Sequence, residues 1–581
     1  MDKRIIVDSS FNEETRVAFI NGSEIEHFEV DTSSNKKQLK GNVYLAKISR
    51  VEPSLQAAFV NYGGNRQGFL PFSEISNDYF KIPEADKKNK KKDDDFVVKD
   101  FYRDNNENRK KKFPRIPDFK KYKIQEVIKK NQIMLVQVVK DERGTKGAAL
   151  TTYISIAGKY CVLMPNKPLG IKISKKIINV DERKKLTQIS GKCKLTKEMG
   201  LIIRTASRDC DENNLKKDFN YVLGIWKSIK EKTINSLAPT IINDDSNIVN
   251  KFIRDSFIEE YKEIIIEGQK TYEQAKKYMK TLLPGQERKL KEYKNTKLPI
   301  MEYYDLENKI NSIYDTKVKL KSGGYIIINP TEALTAIDIN SGQSTKERSV
   351  EETALKTNIE AVDEICKQIR IRNIAGLIVI DFIDMGFVRN KIIIERRLKE
   401  TLRYDRAKCQ ISRISKFGLL ELSRQRIGPS LEETTMEDGI ISGIRCTLRS
   451  TTSSVAKILR KLKYLKFEKK IKELSLHLYE TLYEYIVTNN QSFIKDLEKK
   501  LKTKILLLKD NNIAPPFFVL KTIELNKKKN KPTVIYDDIP KLVSEEEAKE
   551  IKRNKKKLVE KKITTKSKTK KKISFTLYYC Y

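Results

Sequence analysis

Three residues carry the most specific chemistry in the sequence. Asp338 and Asn340 stand two apart in the run ALTAIDIN, and Asp381 closes the apolar run GLIVID. On a strand, residues two apart face the same side. A carboxylate at the end of a run that is apolar on both faces would be costly inside a core. It is tolerated where the strand ends and a cation meets it. Open α/β sheets bind ligands outside the carboxyl ends of their strands. Two strand-end carboxylates and an amide therefore suit a hard, oxygen-liganded cation such as magnesium. Asp384, three residues past Asp381, reads as lying outside the ligand set. The plain alternative is that these aspartates cap helices or join surface ion pairs.

Other chemistries are disfavoured. No phosphate-binding run of the form G-x-x-x-x-G-K followed by Ser or Thr occurs, which argues against nucleotide-driven work. The two histidines, His27 and His477, offer no nucleophile–base pair. Seven cysteines are dispersed with no C-x-x-C pair, so a zinc site built within one chain is not expected. Such a set reads as reduced thiols in a cytosol.

Two further groupings could hold RNA. Phe59 and Phe69 lie among Lys47, Arg50 and Arg66. Aromatic faces stack on splayed bases while cations follow the phosphates; the competing reading is that both rings are core. The run GLIIRT leaves Arg204 and Thr205 at a strand end, where a guanidinium and a hydroxyl could fork onto a phosphate monoester. A plain surface arginine is the alternative.

The elements that must position these residues can be read in outline. The 581 residues make several domains. The net charge of +39 favours polyanions, although AT-biased coding would also enrich lysine. Residues 4–30 read as strands, 41–71 as a small barrel with a turn at Gly63-Gly64, and 132–139 as a further strand. The charged stretch 87–121 reads as an insertion loop. Residues 153–205 mix short strands and turns, and 215–295 are helical in pattern. Residues 317–425 alternate strands and helices as a layered α/β domain, with a charged helix running to about Lys408. Residues 446–535 form a smaller α+β piece, and the Lys- and Glu-rich tail reads as disordered. The apolar ending ISFTLYYCY has no physical account. No apolar run reaches the roughly 18 residues of a membrane span, so a cytoplasmic protein is expected, with peripheral contact at the inner membrane left open.

Taken together, the runs EPSLQAAFVNYGGNRQGFLP, GTKGAALTTYISIAGKYCVLMPN, GLIIRTA, EALTAIDINSG, EETALKTNIEAVDEICKQIRIRNIAGLIVIDFIDM and ISKFGLLELSRQR resemble, in order, the catalytic half of the bacterial RNase E/G family. The likeness runs from about residue 1 to 435 and more weakly to about 535. It implies a multidomain α/β and α+β fold. An RNase H-like part (1–37 and 249–313) would be interrupted by an OB-fold barrel (38–152) and a 5′-end sensor region (153–248). A DNase I-like catalytic subdomain (314–435), a degenerate zinc-link region (436–446), a small domain (447–535) and a charged tail (536–581) would follow.

The same resemblance assigns residues. Magnesium would fall to Asp338 and Asp381, with Asn340 as the supporting amide. The 5′-monophosphate sensor would be Arg204 and Thr205, lined by Gly158 and Val162, with Lys175 standing where the family has an arginine. Lysine keeps the charge there and loses the bidentate fork. RNA would meet Phe59, Phe69, Lys146 and, near the active site, Lys408. The implied activity is magnesium-dependent endoribonucleolytic hydrolysis of single-stranded, A/U-rich RNA to 5′-phosphate and 3′-hydroxyl ends, in rRNA and tRNA processing and mRNA decay.

The sequence departs from the family after SRQR. Gly439 and Ser442 stand near the positions of two zinc-binding cysteines, and Cys446 is off register, which counts against a zinc shared by two chains. A homo-oligomer, dimer or tetramer, is still expected through other surfaces. The long scaffolding half of the larger members has no counterpart, so no degradosome scaffold is expected. A catalytically degenerate RNA-binding protein is the competing reading.

Overall fold

The computed structural model describes residues 2–537 apart from 33–38, 82–121, 143–145, 209, 256–260, 296–297, 343–348, 404, 442–443, 466–470, 514–516 and 525–532. The expected insertion at 87–121 and the tail from 538 on, with the last nine residues, lie outside the described residues, while residues 536 and 537, expected in the tail, end the strand Thr533–Asp537. The chain divides into two compact units: residues 37–259 with 273–289, and the remainder.

The first unit is built on two sheets. One is a barrel of strands Val43–Glu52, Ala57–Asn61, Gly68–Pro71, Ala149–Thr151 and Ile133–Lys140, closed where Val43–Glu52 pairs with Ile133–Lys140, with Thr240–Asn243 added along Val43–Glu52. Closure removes the exposed edges that an open sheet of short strands would present. Its core alternates with its outer face: Ala58, Val60 and Leu70 are buried, whereas Lys47 and Arg50 are exposed. The other sheet runs Gly170–Ile173, Gly200–Ile203, Cys161–Met164, Ile156–Ala157. The helices Val180–Gly191 and Glu212–Ile234 bury Leu186, Leu215, Phe219 and Val222 in one core with it.

The second unit holds four sheets among the described residues, one of them a two-stranded hairpin. Strands Lys3–Phe11, Glu14–Asn21 and Glu24–Thr32 form an antiparallel meander. Its first strand pairs in parallel with Glu263–Glu267, which in turn pairs with Leu290–Glu292. The stretch 215–295 is therefore not helical throughout. Glu263–Glu267 (EIIIE) is buried at every position and completes a sheet; five residues between charged helices carry too little periodicity to be told from helix.

The next sheet runs Lys317–Lys319, Tyr325–Pro330, Thr335–Asn340, Gly376–Asp381, Leu419–Arg424, Cys409–Ile411. Only the two middle strands, Thr335–Asn340 and Gly376–Asp381, are parallel, and the helix Val350–Ile371 connects them. One face packs Ile337, Ile339, Ile378, Ile380, Leu420 and Leu422 against Ala361, Ile365, Ile394 and Leu398 of the helices. The second charged helix spans Val388–Leu402 and stops short of Lys408. Past its end, the Asp405 carboxylate lies 2.8 Å from Arg424 and takes the Ala407 N–H.

The last sheet, Lys504–Lys509, Ile471–Leu478, Val519–Glu524, Thr533–Asp537, is covered by Thr451–Lys463, Glu480–Asn489 and Gln491–Leu501. The helix Thr451–Lys463 also reaches the N-terminal meander. Arg460 places Nε 2.7 Å from Asp8 and Nη1 2.8 Å from Glu14, both buried, and Arg16 lies 2.8 Å from Asp8. Residues 436–449 form an antiparallel hairpin, Met436–Ile441 with Ile444–Arg449. Ser442 lies outside the described residues, and no side-chain contact is described for Gly439 or Cys446.

Candidate active site

The alternation of buried and exposed residues builds the carboxylate site. In Thr335–Asn340 the buried residues are Thr335, Ile337 and Ile339, so Asp338 emerges on the open face and Asn340 beside it. The parallel register sets Asp338 directly opposite Asp381. The Asn340 amide donates to Asp338 Oδ2 at 2.7 Å. Burial and then the charges of Asp338 and Asp384 raise the Asp381 carboxyl above its ordinary range. Among the described residues none of the three aspartates caps a helix or joins an ion pair, so the plain alternative does not account for them.

Neighbouring residues hold the loop beyond Asp381. Asn358, fully buried on the helix Val350–Ile371, donates to the Ile383 carbonyl at 2.9 Å and accepts from the Ile383 N–H at 3.1 Å. Glu351 takes the Gly386 N–H at 2.9 Å and the Asn390 amide at 2.6 Å. Gly418, with φ of 81°, brings its carbonyl to the Phe382 N–H; a Cβ there would stand 3.1 Å from the Phe382 carbonyl. Sequence reasoning missed all three. A buried asparagine on a helix, with a hydrophobic position as its pattern-based expectation, was the one available signal.

The donor set fits magnesium in kind: two carboxylates on the open face of the sheet and an amide bonded to one of them, all hard oxygen donors or groups that orient one. No group of three or more His, Cys, Asp or Glu is gathered for a metal among the described residues.

Lys408 is not brought to these carboxylates. It precedes Cys409, which lies level with Arg424 and Gly376, whereas Asp381 lies level with Leu419 at the other end of the strand. Arg413 and Lys416 are exposed in the loop that leads to Leu419, the partner of Asp381.

In the other unit, Arg204 and Gly158 do come together. Arg204 Nη1 donates to the Gly158 carbonyl at 2.6 Å, and Nη2 lies 2.7 Å from Asp255. Gly158 admits no side chain, because a Cβ would stand 2.5 Å from both oxygens of Asp218. That buried carboxylate accepts the N–H groups of Lys159, Tyr160 and Cys161 and so fixes the loop under Arg204. Val162 pairs with Ile202, half-buried. Lys175 is exposed just past Ile173, whose parallel partner Ile203 leads into Arg204 and the exposed Thr205. Asp218 and Asp255 were not foreseen; nothing in their local sequence distinguishes them from helix-surface acids.

On the barrel, Phe59 and Phe69 face each other across adjacent strands, ring centroids 6.0 Å apart, and both are half-buried. Neither ring belongs to the buried core of the barrel. The Arg50 guanidinium lies 5.0 Å over the Phe59 ring. Lys146 is exposed beside Gly147, whose Cβ would meet the Gln67 carbonyl at 1.9 Å, and Ala148 accepts from the Phe69 N–H.

The S1 RNA binding domain profile matches residues 37–152, and the Ribonuclease E/G family profile matches residues 155–427. Ribonuclease G of Escherichia coli K12 is 31% identical over 449 residues, which is 77% of this chain and 85% of that protein. The chain belongs to the Ribonuclease E/G family.

Within that family it is 38% identical to ribonuclease E of Haemophilus influenzae over 519 residues, 89% of this chain and 51% of that protein. It is 36% identical to ribonuclease E of Escherichia coli K12 over 546 residues, 94% of this chain and 48% of that protein. The chain thus spans about half the length of the curated ribonuclease E relatives it matches. No helix of the described residues is long and apolar enough to cross a membrane.

Proposed function

We propose that the chain is a magnesium-dependent endoribonuclease of single-stranded, A/U-rich RNA, leaving 5′-phosphate and 3′-hydroxyl ends and working in rRNA and tRNA processing and mRNA decay. The observation that carries this reading is the register pairing of Asp338 with Asp381, with the Asn340 amide bonded to Asp338. Magnesium, when bound, would neutralise charge on the scissile phosphodiester and make the attacking water more acidic. Asp338 and Asp381 would hold the ion. Asn340 would keep the Asp338 carboxylate in one rotamer, leaving its other oxygen toward the cation.

Phe59, Phe69 and Lys146 would hold the strand by base stacking and phosphate contact, which only unpaired bases permit. Arg204, with Thr205 and Lys175, would take a 5′-monophosphate, so that binding energy from a remote group aids cutting. The five-stranded order of the N-terminal sheet supports an RNase H-like part, and the mixed sheet bearing the aspartates supports a DNase I-like one. Cytoplasmic residence and a homo-oligomer, dimer or tetramer, belong to the same reading.

The deciding experiment is cleavage of a short 5′-monophosphorylated, A/U-rich RNA, with magnesium or EDTA, by the wild type and Asp338→Asn. Magnesium-dependent internal cuts that vanish in the variant support the reading. Tight binding without cutting by the wild type would replace it with a catalytically degenerate RNA-binding protein.

A further inference from the structure

Phe417 is 84% exposed, although it belongs to an ordered turn. Ser415 closes that turn: its N–H donates to the Leu419 carbonyl at 2.8 Å, and its hydroxyl accepts from the N–H groups of Phe417 and Leu419, each at 3.2 Å. A single exposed apolar side chain is ordinary on a protein surface. The location of this one is not. The next residue is Gly418, and the point a Cβ would occupy there lies 3.7 Å from Asp381 Oδ1 and 3.5 Å from Asp384 Oδ1. The residue after that, Leu419, is the register partner of Asp381. The aromatic ring therefore starts one backbone step, about 3.8 Å, from the rim of the carboxylate cluster. Arg413 and Lys416 are exposed on the same loop.

We propose that Phe417 stacks on a nucleobase flanking the scissile phosphodiester. The proposal rests on the nuclease reading above. A carboxylate cluster alone repels an RNA backbone. A ring on a rigid turn beside it, with cations on the same loop, supplies what a polyanion with flat faces needs there: a platform for one base and counter-charge for the neighbouring phosphates. Stacking is tolerant of base identity. Phe417 thus positions the strand over Asp338 and Asp381 without reading its sequence, and a base locked in a duplex cannot reach it.

The test uses the full chain as wild type, Phe417→Ala and Phe417→Trp. A short single-stranded A/U-rich RNA carries 2-aminopurine at each position in turn, and its fluorescence is read with EDTA present so that nothing is cut. One position should be quenched by the wild type and by Phe417→Trp and not by Phe417→Ala. With magnesium, Phe417→Ala should raise KM on the order of 5- to 10-fold, and this loss should vanish on RNA that is abasic at that position. Equal quenching by Phe417→Ala, or an equal loss on abasic RNA, would overturn the proposal. So would a change in the sedimentation of Phe417→Ala without RNA, which would mark the ring as a contact between copies. Phe417-dependent quenching by a wild type that never cuts would sustain the stacking and remove the nuclease reading.

Discussion

Asp255 holds the Arg204 guanidinium at 2.7 Å while the Gly158 carbonyl holds its other nitrogen at 2.6 Å. Two acceptors fix the plane of the guanidinium, and its remaining N–H groups are left in a set direction. Arg204→Ala should slow cleavage of 5′-monophosphorylated RNA about 10- to 100-fold, the worth of charge-assisted hydrogen bonds, and spare 5′-hydroxyl RNA. Asp255→Ala should reduce the same 5′ preference while the charge of Arg204 persists. Equal slowing on both RNAs would remove the sensor assignment.

The amide bond from Asn340 to Asp338 makes a separate expectation. Asn340→Ala should lower kcat about 10- to 100-fold and raise the magnesium concentration for half-activity. Asp338→Asn, which removes a ligand charge, should cost on the order of 100-fold or more. A magnesium titration of initial rates separates the two. Asn340→Ala with an unchanged magnesium requirement would show that the amide serves the substrate instead.

Stacking on the barrel should be sequence-tolerant and salt-independent. Phe59→Ala and Phe69→Ala should each weaken RNA binding by about 1–3 kcal/mol with the slope of affinity against salt unchanged. Lys146→Ala should instead flatten that slope by nearly one unit. Fluorescence anisotropy from low to high salt reads both quantities.

The buried contacts of Arg460 with Asp8 and Glu14 predict a pH-dependent stability. Burial raises both carboxyls, but the charges of Arg460 and Arg16 outweigh it at Asp8, and those of Arg460, Arg449 and Arg16 at Glu14; both end below their ordinary range. Groups lowered on folding stabilise the native state above the ordinary carboxylate range, about pH 4, and lose that contribution as pH falls below it. Arg460→Ala leaves two buried carboxylates without their main counter-charge and should cost about 3–5 kcal/mol at neutral pH. The gap in urea midpoint between wild type and variant should narrow on acidification below about pH 4. A gap that stays constant would show that packing, not charge, supplies the stability.

On the resemblance drawn from the sequence, two zinc-binding cysteines would fall near Gly439 and Ser442, and neither residue here is a cysteine. Elemental analysis of the purified chain should return well below one zinc per two chains. Stoichiometric zinc would mean that other residues bind it.

Strand alternation made Asp338 and Asn340 legible in the sequence, because buried isoleucines on either side fix which face each takes. The same is true of Phe59 and Phe69, which alternate with Ala58, Val60 and Leu70. Register was not legible. That Asp381 stands opposite Asp338, that Lys408 lies at the far end of the strand, and that Asp255 reaches Arg204 all depend on long-range pairing that no local pattern encodes. The strand Glu263–Glu267 was lost for a related reason: five buried residues show no period.

The parallel pairing of Lys3–Phe11 with Glu263–Glu267 also sets an order of assembly on the ribosome. The first strand leaves before the residues of the other unit, 37–259, and its sheet partner leaves after them. At about 5–20 residues per second, the meander waits roughly 13 to 50 s for that partner. During that wait the five-stranded barrel can close on residues already made, and Thr240–Asn243 can join it before Glu263–Glu267 appears. The barrel is therefore free to fold before the N-terminal sheet, which is completed only once Leu290–Glu292 has been made.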